Sequence, residues 1–165
     1  MRTGWLWAAV LLATMAGAAG AAAPPWADLG WRLLSGQAGL TATAPDQLAF
    51  VSLRDGDAEL YLVRADGTGL KRLTRSPSDD TEPAWSPDGR ELAFTSDRGG
   101  NQDLYVLKAD GTGLRQLTRD PGMDCYPCWA PDGQRLAFAS DRSGNSEVYT
   151  CRPDGSQLVN VSNHP

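Results

Sequence analysis

The feature that most constrains this chain is a repeat of fixed length. Ala49-Phe50, Ala93-Phe94 and Ala137-Phe138 stand 44 residues apart in both steps. On the same spacing Trp85 matches Trp129, and Pro87-Asp88-Gly89 matches Pro131-Asp132-Gly133. Tyr61, Tyr105 and Tyr149 fall in register, as do Asp66-Gly67, Asp110-Gly111 and Asp154-Gly155. The blocks EPAWSPDGRELAFTSDRGGNQDLYVLKADGTGLRQLTRD and YPCWAPDGQRLAFASDRSGNSEVYTCRPDGSQLVNVSNH align without a gap. A third, TATAPDQLAFVSLRDGDAELYLVRADGTGLKRLTRS, aligns once its first turn is shortened. A repeat on this scale is a supersecondary unit that buries its faces only by stacking on its neighbours.

Within a unit the turn residues divide the chain into four short strands. The expectation is Pro83 to Ser86, Leu92 to Ser96, Asp103 to Lys108 and Leu114 to Thr118. The Pro-Asp-Gly turn presets φ with Pro and supplies the positive φ of a tight reversal with Gly. Hairpin turns throughout imply an antiparallel meander. Leu92 and Phe94 point to one face and Ala93 to the other, while Leu104 to Leu107 is apolar on both. A strand apolar on both faces has to be covered on both. Four-stranded sheets repeating at about 40–45 residues and stacked around an axis are propeller blades. A β-sandwich is the competing architecture, but it has no reason to repeat its turn chemistry on a fixed period. The expected fold is therefore all-β, a partial β-propeller of about three four-stranded antiparallel blades.

At these residues the repeats resemble the WD-like β-propeller repeats of the TolB family. The motif stands here as Pro83-Ala84-Trp85-Ser86-Pro87-Asp88-Gly89, then Ala93-Phe94-Thr95-Ser96-Asp97-Arg98-Gly99, Asp103-Leu104-Tyr105-Val106-Leu107, and Asp110-Gly111 through Leu117-Thr118. It recurs with Trp129, Pro131, Asp132, Gly133, Phe138, Asp141, Arg142, Tyr149, Asp154 and Gly155. The resemblance implies a periplasmic, non-catalytic scaffold that binds protein partners of the cell envelope. The same repeats serve in the propeller domains of peptidases, so fold does not by itself assign function. A small-ligand or metal-binding propeller, and a truncated remnant of a larger propeller protein, are the alternatives. Closed rings take about four to eight blades; three repeats imply self-association, a fragment or an open arc.

The first 23 residues read as a leader. Met1-Arg2 brings a positive charge, Trp5 to Ala16 is an apolar run broken by Thr14, and Ala16 to Ala23 is rich in small residues. That is the layout of a secretory signal peptide, and its apolar run is shorter than the roughly 20 residues of a spanning helix. No apolar segment of spanning length follows residue 23. Residues 24–39 form a linker in which Trp31 to Leu34 is either a vestigial strand or a short helix. Residues 40–165 hold the three repeats, at about 40–76, 82–120 and 126–163. Loss of Arg2 with the leader takes the formal charge from −5 to −6. Lys and Arg are scattered rather than striped, which excludes nucleic acid as the expected partner.

Three cysteines invite chemistry. Cys125-Tyr126-Pro127-Cys128 leads into a strand rather than a helix, so it lacks the setting of a redox dithiol. Trp129 stands where haem attachment requires His, and His164 is the one histidine available to a zinc site. Cys125, Cys128 and Cys151 are expected to be structural, as a disulfide of unassigned pairing or as buried thiols. Asp97, Asn101 and Asp103, with Asp141, Asn145 and Glu147, offer oxygen ligands to a cation, but their spacing departs from a calcium loop. Turn chemistry explains the same residues. The Asp97-Arg98 and Asp141-Arg142 pairs are expected to be structural. No G-x-S-x-G elbow occurs, and a Ser/His/Asp triad would depend on His164. No cofactor and no enzyme activity are expected.

Overall fold

The structure, a computed structural model, describes residues 47–163. The leader, the linker with Trp31 to Leu34, and His164 lie outside the described residues. Every regular element described is a strand: β1 (Gln47–Ser52), β2 (Glu59–Arg64), β3 (Lys71–Arg72), β4 (Asp80–Trp85), β5 (Glu91–Ser96), β6 (Asp103–Lys108), β7 (Arg115–Gln116), β8 (Asp124–Trp129), β9 (Leu136–Ser140), β10 (Glu147–Cys151) and β11 (Val159–Asn160). They form three antiparallel meanders in sequence order, β1-β2-β3, β4-β5-β6-β7 and β8-β9-β10-β11. The second and third are the expected four-stranded blades. The first shows three strands among the described residues, with β1 at the position of β5.

The blades stack through the two faces that the alternation demanded. Leu92, Phe94, Tyr105 and Leu107 of the second blade pack with Leu60 and Leu62 of the first, with Ala49, Leu73 and Trp85 against them. The opposite face of the same sheet, Ala93, Leu104, Val106 and Leu117, packs with Leu136, Phe138, Tyr149 and Cys151 of the third, with Trp129 at the margin. Small Ala93 faces one way and bulky Phe94 the other, and both are fully buried. At roughly 1.5–3 kcal/mol per buried large side chain, these two interfaces supply most of the driving force for ordering the chain.

The first and the outer strand of the second blade depart from the sequence expectation. The first strand of the second blade begins at Asp80, not Pro83, because a β-bulge lies between Thr81 and Ala84 and breaks the alternation that would have marked it. Its counterpart lies between Cys125 and Cys128. The outer strand narrows to Arg115–Gln116, since only two residues of β6 pair with it in regular register.

The turns lock by local hydrogen bonds. Gly89 N–H donates to Ser86 C=O and Gly133 N–H to Ala130 C=O, both at 2.9 Å. In the outer turns Asp110 Oδ1 accepts from Thr112 N–H and Oγ1, and Asp154 Oδ1 accepts from the same groups of Ser156. The hydroxyl bonds foremost hold both carboxyls below their usual range. Gly155 has a second constraint: its φ is +83°, and a Cβ there would meet Leu117 C=O of the preceding blade at 2.6 Å. Gly144 also has positive φ, +98°, but faces open space. Gly155→Ala is therefore expected to lower unfolding free energy by about 3 kcal/mol and Gly144→Ala by about 1, a difference that urea unfolding of the two variants measures.

Candidate functional site

The recurrent Arg of the second and third blades is held by a carboxylate, a hydroxyl and two aromatic rings. Arg98 Nη2 donates to both oxygens of the Asp80 carboxylate at 2.7 and 2.6 Å, and Nε donates to Ser96 Oγ at 2.9 Å. Its guanidinium lies 5.6 Å from the Phe94 ring centre and 5.0 Å from that of Tyr105. Arg142 repeats the arrangement on Asp124 (2.8 and 2.7 Å), Ser140, Phe138 and Tyr149. Arg54 lies over Phe50 and Tyr61 and bonds Ser52 in the first blade. Asp80 and Asp124 are wholly buried, so each depends on its Arg for compensation of its charge. The structural partner of Arg98 is Asp80 rather than the neighbouring Asp97. The signal was available, since Asp80 and Asp124 recur on the same 44-residue step as Arg98 and Arg142.

Asp97 and Asp141 do different work, accepting backbone N–H bonds from Asp79 at 3.0 Å and Met123 at 2.6 Å. The other suggested cation ligands are also engaged. Asn101 Nδ2 donates to the carbonyls of Asp120 and Gly122. Asp103 accepts from Gln116 Nε2 at 3.0 Å and Thr118 Oγ1 at 3.2 Å. Asn145 donates to Glu147, which accepts from Ser162 Oγ. Glu59, Asp103 and Glu147 open the equivalent strands β2, β6 and β10 of successive blades, and Thr74, Thr118 and Ser162 each give an Oγ to the next backbone N–H at 2.9 Å. Among the described residues, no group of three or more His, Cys, Asp or Glu is placed to hold a metal ion. Burial, with the charge of Asp124 adding to it, raises Asp103 above its ordinary range despite the bonds from Thr118 and Gln116.

The innermost strands bring Glu82, which the repeat pattern did not single out, together with Tyr126 and Trp129. Glu82 and Tyr126 sit at the bulges with φ of +55° and +57°, a left-handed conformation uncommon for such side chains. Glu82 Oε2 accepts from Thr95 Oγ1 at 2.7 Å and from Tyr126 N–H of the next blade at 2.8 Å. Trp129 Nε1 donates to Ala84 C=O at 3.1 Å. These bonds clamp β8 on β4. Cys125 flanks the bulge half-buried, Cys128 is exposed, and Cys151 is buried. Burial, then the Glu82 carboxylate, pushes the Cys125 thiol up to about 11, and burial does the same to Cys151.

All three cysteines are free thiols in the structure. Cys151 opposes Leu136 in the interface with the second blade, whereas Cys128 opposes Ala137 on the other face.

Two concavities lie at the turn end of the second and third blades. A cleft of about 220 Å³ is lined by Ser86, Pro87, Asp88, Trp129 and Pro153 among others, below the roughly 300 Å³ at which small-molecule sites begin. An open groove of about 590 Å³ is lined by Asp88, Arg90, Glu91, Lys108 and Asp110 with Gly89 and Ala109. Five of these seven residues are charged.

The outward face of the third blade is the more telling surface. Ala137, Val148, Thr150 and Val161 occupy the positions of Ala93, Leu104, Val106 and Leu117. In the second blade that set is the buried seat of the third. Here Val148 is 45% exposed and Val161 54%. Tyr126, at the inner edge of the same blade, is 68% exposed.

Sheet topology, blade stacking and the Asp–Arg–aromatic cage define a set of propeller blades. The sequence matches the TolB beta propeller domain over residues 34–111 and 99–164, and the chain belongs to that family. It is 44% identical over 45 residues to the Tol-Pal system protein TolB of Geobacter sulfurreducens, covering 27% of this chain and 10% of that protein. It is 46% identical over 43 residues to the uncharacterized peptidase YuxL of Bacillus subtilis, covering 26% and 6%. The putative TolB of Agrobacterium tumefaciens superimposes with a TM-score of 0.65 at 24% identity, over 70% of this chain and 44% of that one. The chain thus spans about a tenth of the first curated relative and under half of the solved structure.

Removing one partner of the Asp80–Arg98 bridge strands the other. Arg98→Ala and Asp80→Asn are each expected to cost about 3 kcal/mol, and the double variant clearly less than their sum, which a double-mutant cycle in urea reads directly. Asp103 gives a pH signature. Its folded pKa lies above the unfolded value, so its contribution to stability is full below the unfolded pKa and lost as pH rises through the folded one. Relative to Asp103→Asn, the wild type should gain stability on acidification from neutral into the carboxylate range, as thermal melts across that range would show.

Proposed function

We propose that this chain is a non-catalytic, exported propeller protein that acts in the cell envelope as a protein-binding scaffold. The observation that carries the reading is the outward face of the third blade, whose residues occupy positions that the repeat elsewhere uses as a docking seat. The matching surface is a sheet face with a Leu–Phe–Tyr ladder, the set that Leu136, Phe138 and Tyr149 present across the neighbouring interface. A second copy carries a related set in its first sheet, where Phe50 and Tyr61 stack with centroids 5.7 Å apart. A further blade, a second copy and an envelope protein would all use this one surface.

Membership of the TolB propeller family and the leader-like first 23 residues support export. The non-catalytic reading rests on how the polar side chains are spent. Asp80, Asp97, Asp103, Asp124 and Asp141 are engaged in holding strands and turns. The match to a protein named as a peptidase covers about one repeat and supports a shared propeller unit.

The test is site-directed photocrosslinking in cells, combined with fractionation and solution mass. A photoreactive residue at Val148 or Val161 should yield a discrete protein adduct in the envelope fraction, and one at exposed Leu70 on the turn rim should not. Val148→Asp should abolish the adduct or the dimer without moving the unfolding midpoint, because the side chain is already exposed. A chain retained in the cytoplasm, or equal labelling from all three positions, overturns the proposal.

A further inference from the structure

We propose that Cys125 and Cys128 form a dithiol–disulfide site on the bulge of β8, with Cys151 excluded from it. Cys125 opposes Ala139 and Cys128 opposes Ala137. Directly paired residues of antiparallel strands project to the same face, so both thiols lie on one face of β8. Ala137 and Ala139 are two residues apart on an extended strand, a span of about 6.7 Å. That lies at the upper end of the roughly 4.4–6.8 Å between the Cα atoms of a disulfide. On β8 the same span holds one extra residue, and a bulge bends its strand. The residue that makes the bend is Tyr126, in the left-handed conformation between the two cysteines.

The remaining pairings are closed by the topology. Cys151 lies on β10, separated from β8 by β9, which sets them about 9.5 Å apart. It opposes Leu136 and is buried in the interface with the second blade, on the face opposite Cys128. The flanking alanines of β9 leave room beside the pair, and Cys128 is exposed to an incoming reagent. No other repeat carries the pair: Thr81 and Ala84 stand at these positions in the second blade. The site belongs to the third blade alone and does not depend on the scaffold reading above.

Closure needs an external oxidant, here a low-molecular-weight disulfide RSSR. The exposed Cys128 sulfur, as thiolate, attacks one sulfur of RSSR; the S–S bond breaks and the first RS⁻ leaves and takes up a proton. Cys125 then gives up its proton and attacks Cys128 sulfur, expelling the second RS⁻, which is protonated in turn. The two thiols lose two electrons and two protons, and RSSR becomes two RSH. The raised pKa of the half-buried Cys125 makes the second step the slow one. The product pins Tyr126 at the inner edge of the exposed blade face.

The purified full chain would be equilibrated in glutathione buffers of graded ratio, acid-quenched, alkylated and mapped by mass. The expected product is two hydrogens lighter than the reduced chain, linked Cys125 to Cys128, with alkylation at Cys151 only. Repeating the equilibration in urea should lower the closure constant by about tenfold or more, because the fold holds the two thiols on one face. The proposal is overturned by glutathione retained on Cys128, by any link to Cys151, by alkylation of both Cys125 and Cys128 across the whole series, or by a closure constant unchanged in urea.

Discussion

A sheet that is apolar on both faces has no solvent side, and the rest of this structure follows from that constraint. Leu104 and Val106 need a neighbour on one side of β6 while Tyr105 and Leu107 need one on the other. A single blade would leave both of these sets in water at a cost of several kcal/mol. Neighbouring blades answer with unlike faces, small Ala93 against bulky Phe138 and Tyr149. The interface is therefore directional, and each blade offers one kind of surface ahead and another behind. That direction is why the face carrying Val148 and Val161 can be read as a seat rather than as an arbitrary apolar patch.

Hydrophobic stacking does not by itself fix register, and the polar groups do. The bridge from Arg98 to buried Asp80 ties the turn after β5 to the start of β4. Thr118 caps β6 from the end of the outer strand, and Trp129 and Glu82 join adjacent inner strands. Each bond joins segments that alternation alone leaves free to slip. Buried acids in this fold serve geometry: a one-residue shift would separate Asp80 from Arg98 and leave a charge without compensation.

The blade architecture was legible because turn chemistry and alternation pointed to the same boundaries. β6 falls where its apolar run and flanking turns place it, at Asp103–Lys108. The start of β4 was not legible, because a bulge at Glu82 obeys neither period and carries no glycine to announce its positive φ. The partner of Arg98 was obscured by proximity, since Asp97 stands beside it in sequence while Asp80 stands beside it in space. The three cysteines showed no pairing because sequence spacing does not say which face of a strand a thiol occupies. Register against Ala137, Ala139 and Leu136 separates them at once.

The separation between each buried acid and its arginine also sets an order of assembly. Asp80 waits 18 residues for Arg98, and Asp124 waits the same interval for Arg142. During synthesis an inner strand thus emerges with an unneutralised carboxylate and acquires its counter-ion only after the following hairpin has turned. The face it rests on is closed later still, by the next blade. Stability in such an array is a sum of near-neighbour terms that grows as units are added. The growing end is always the least protected part of the chain.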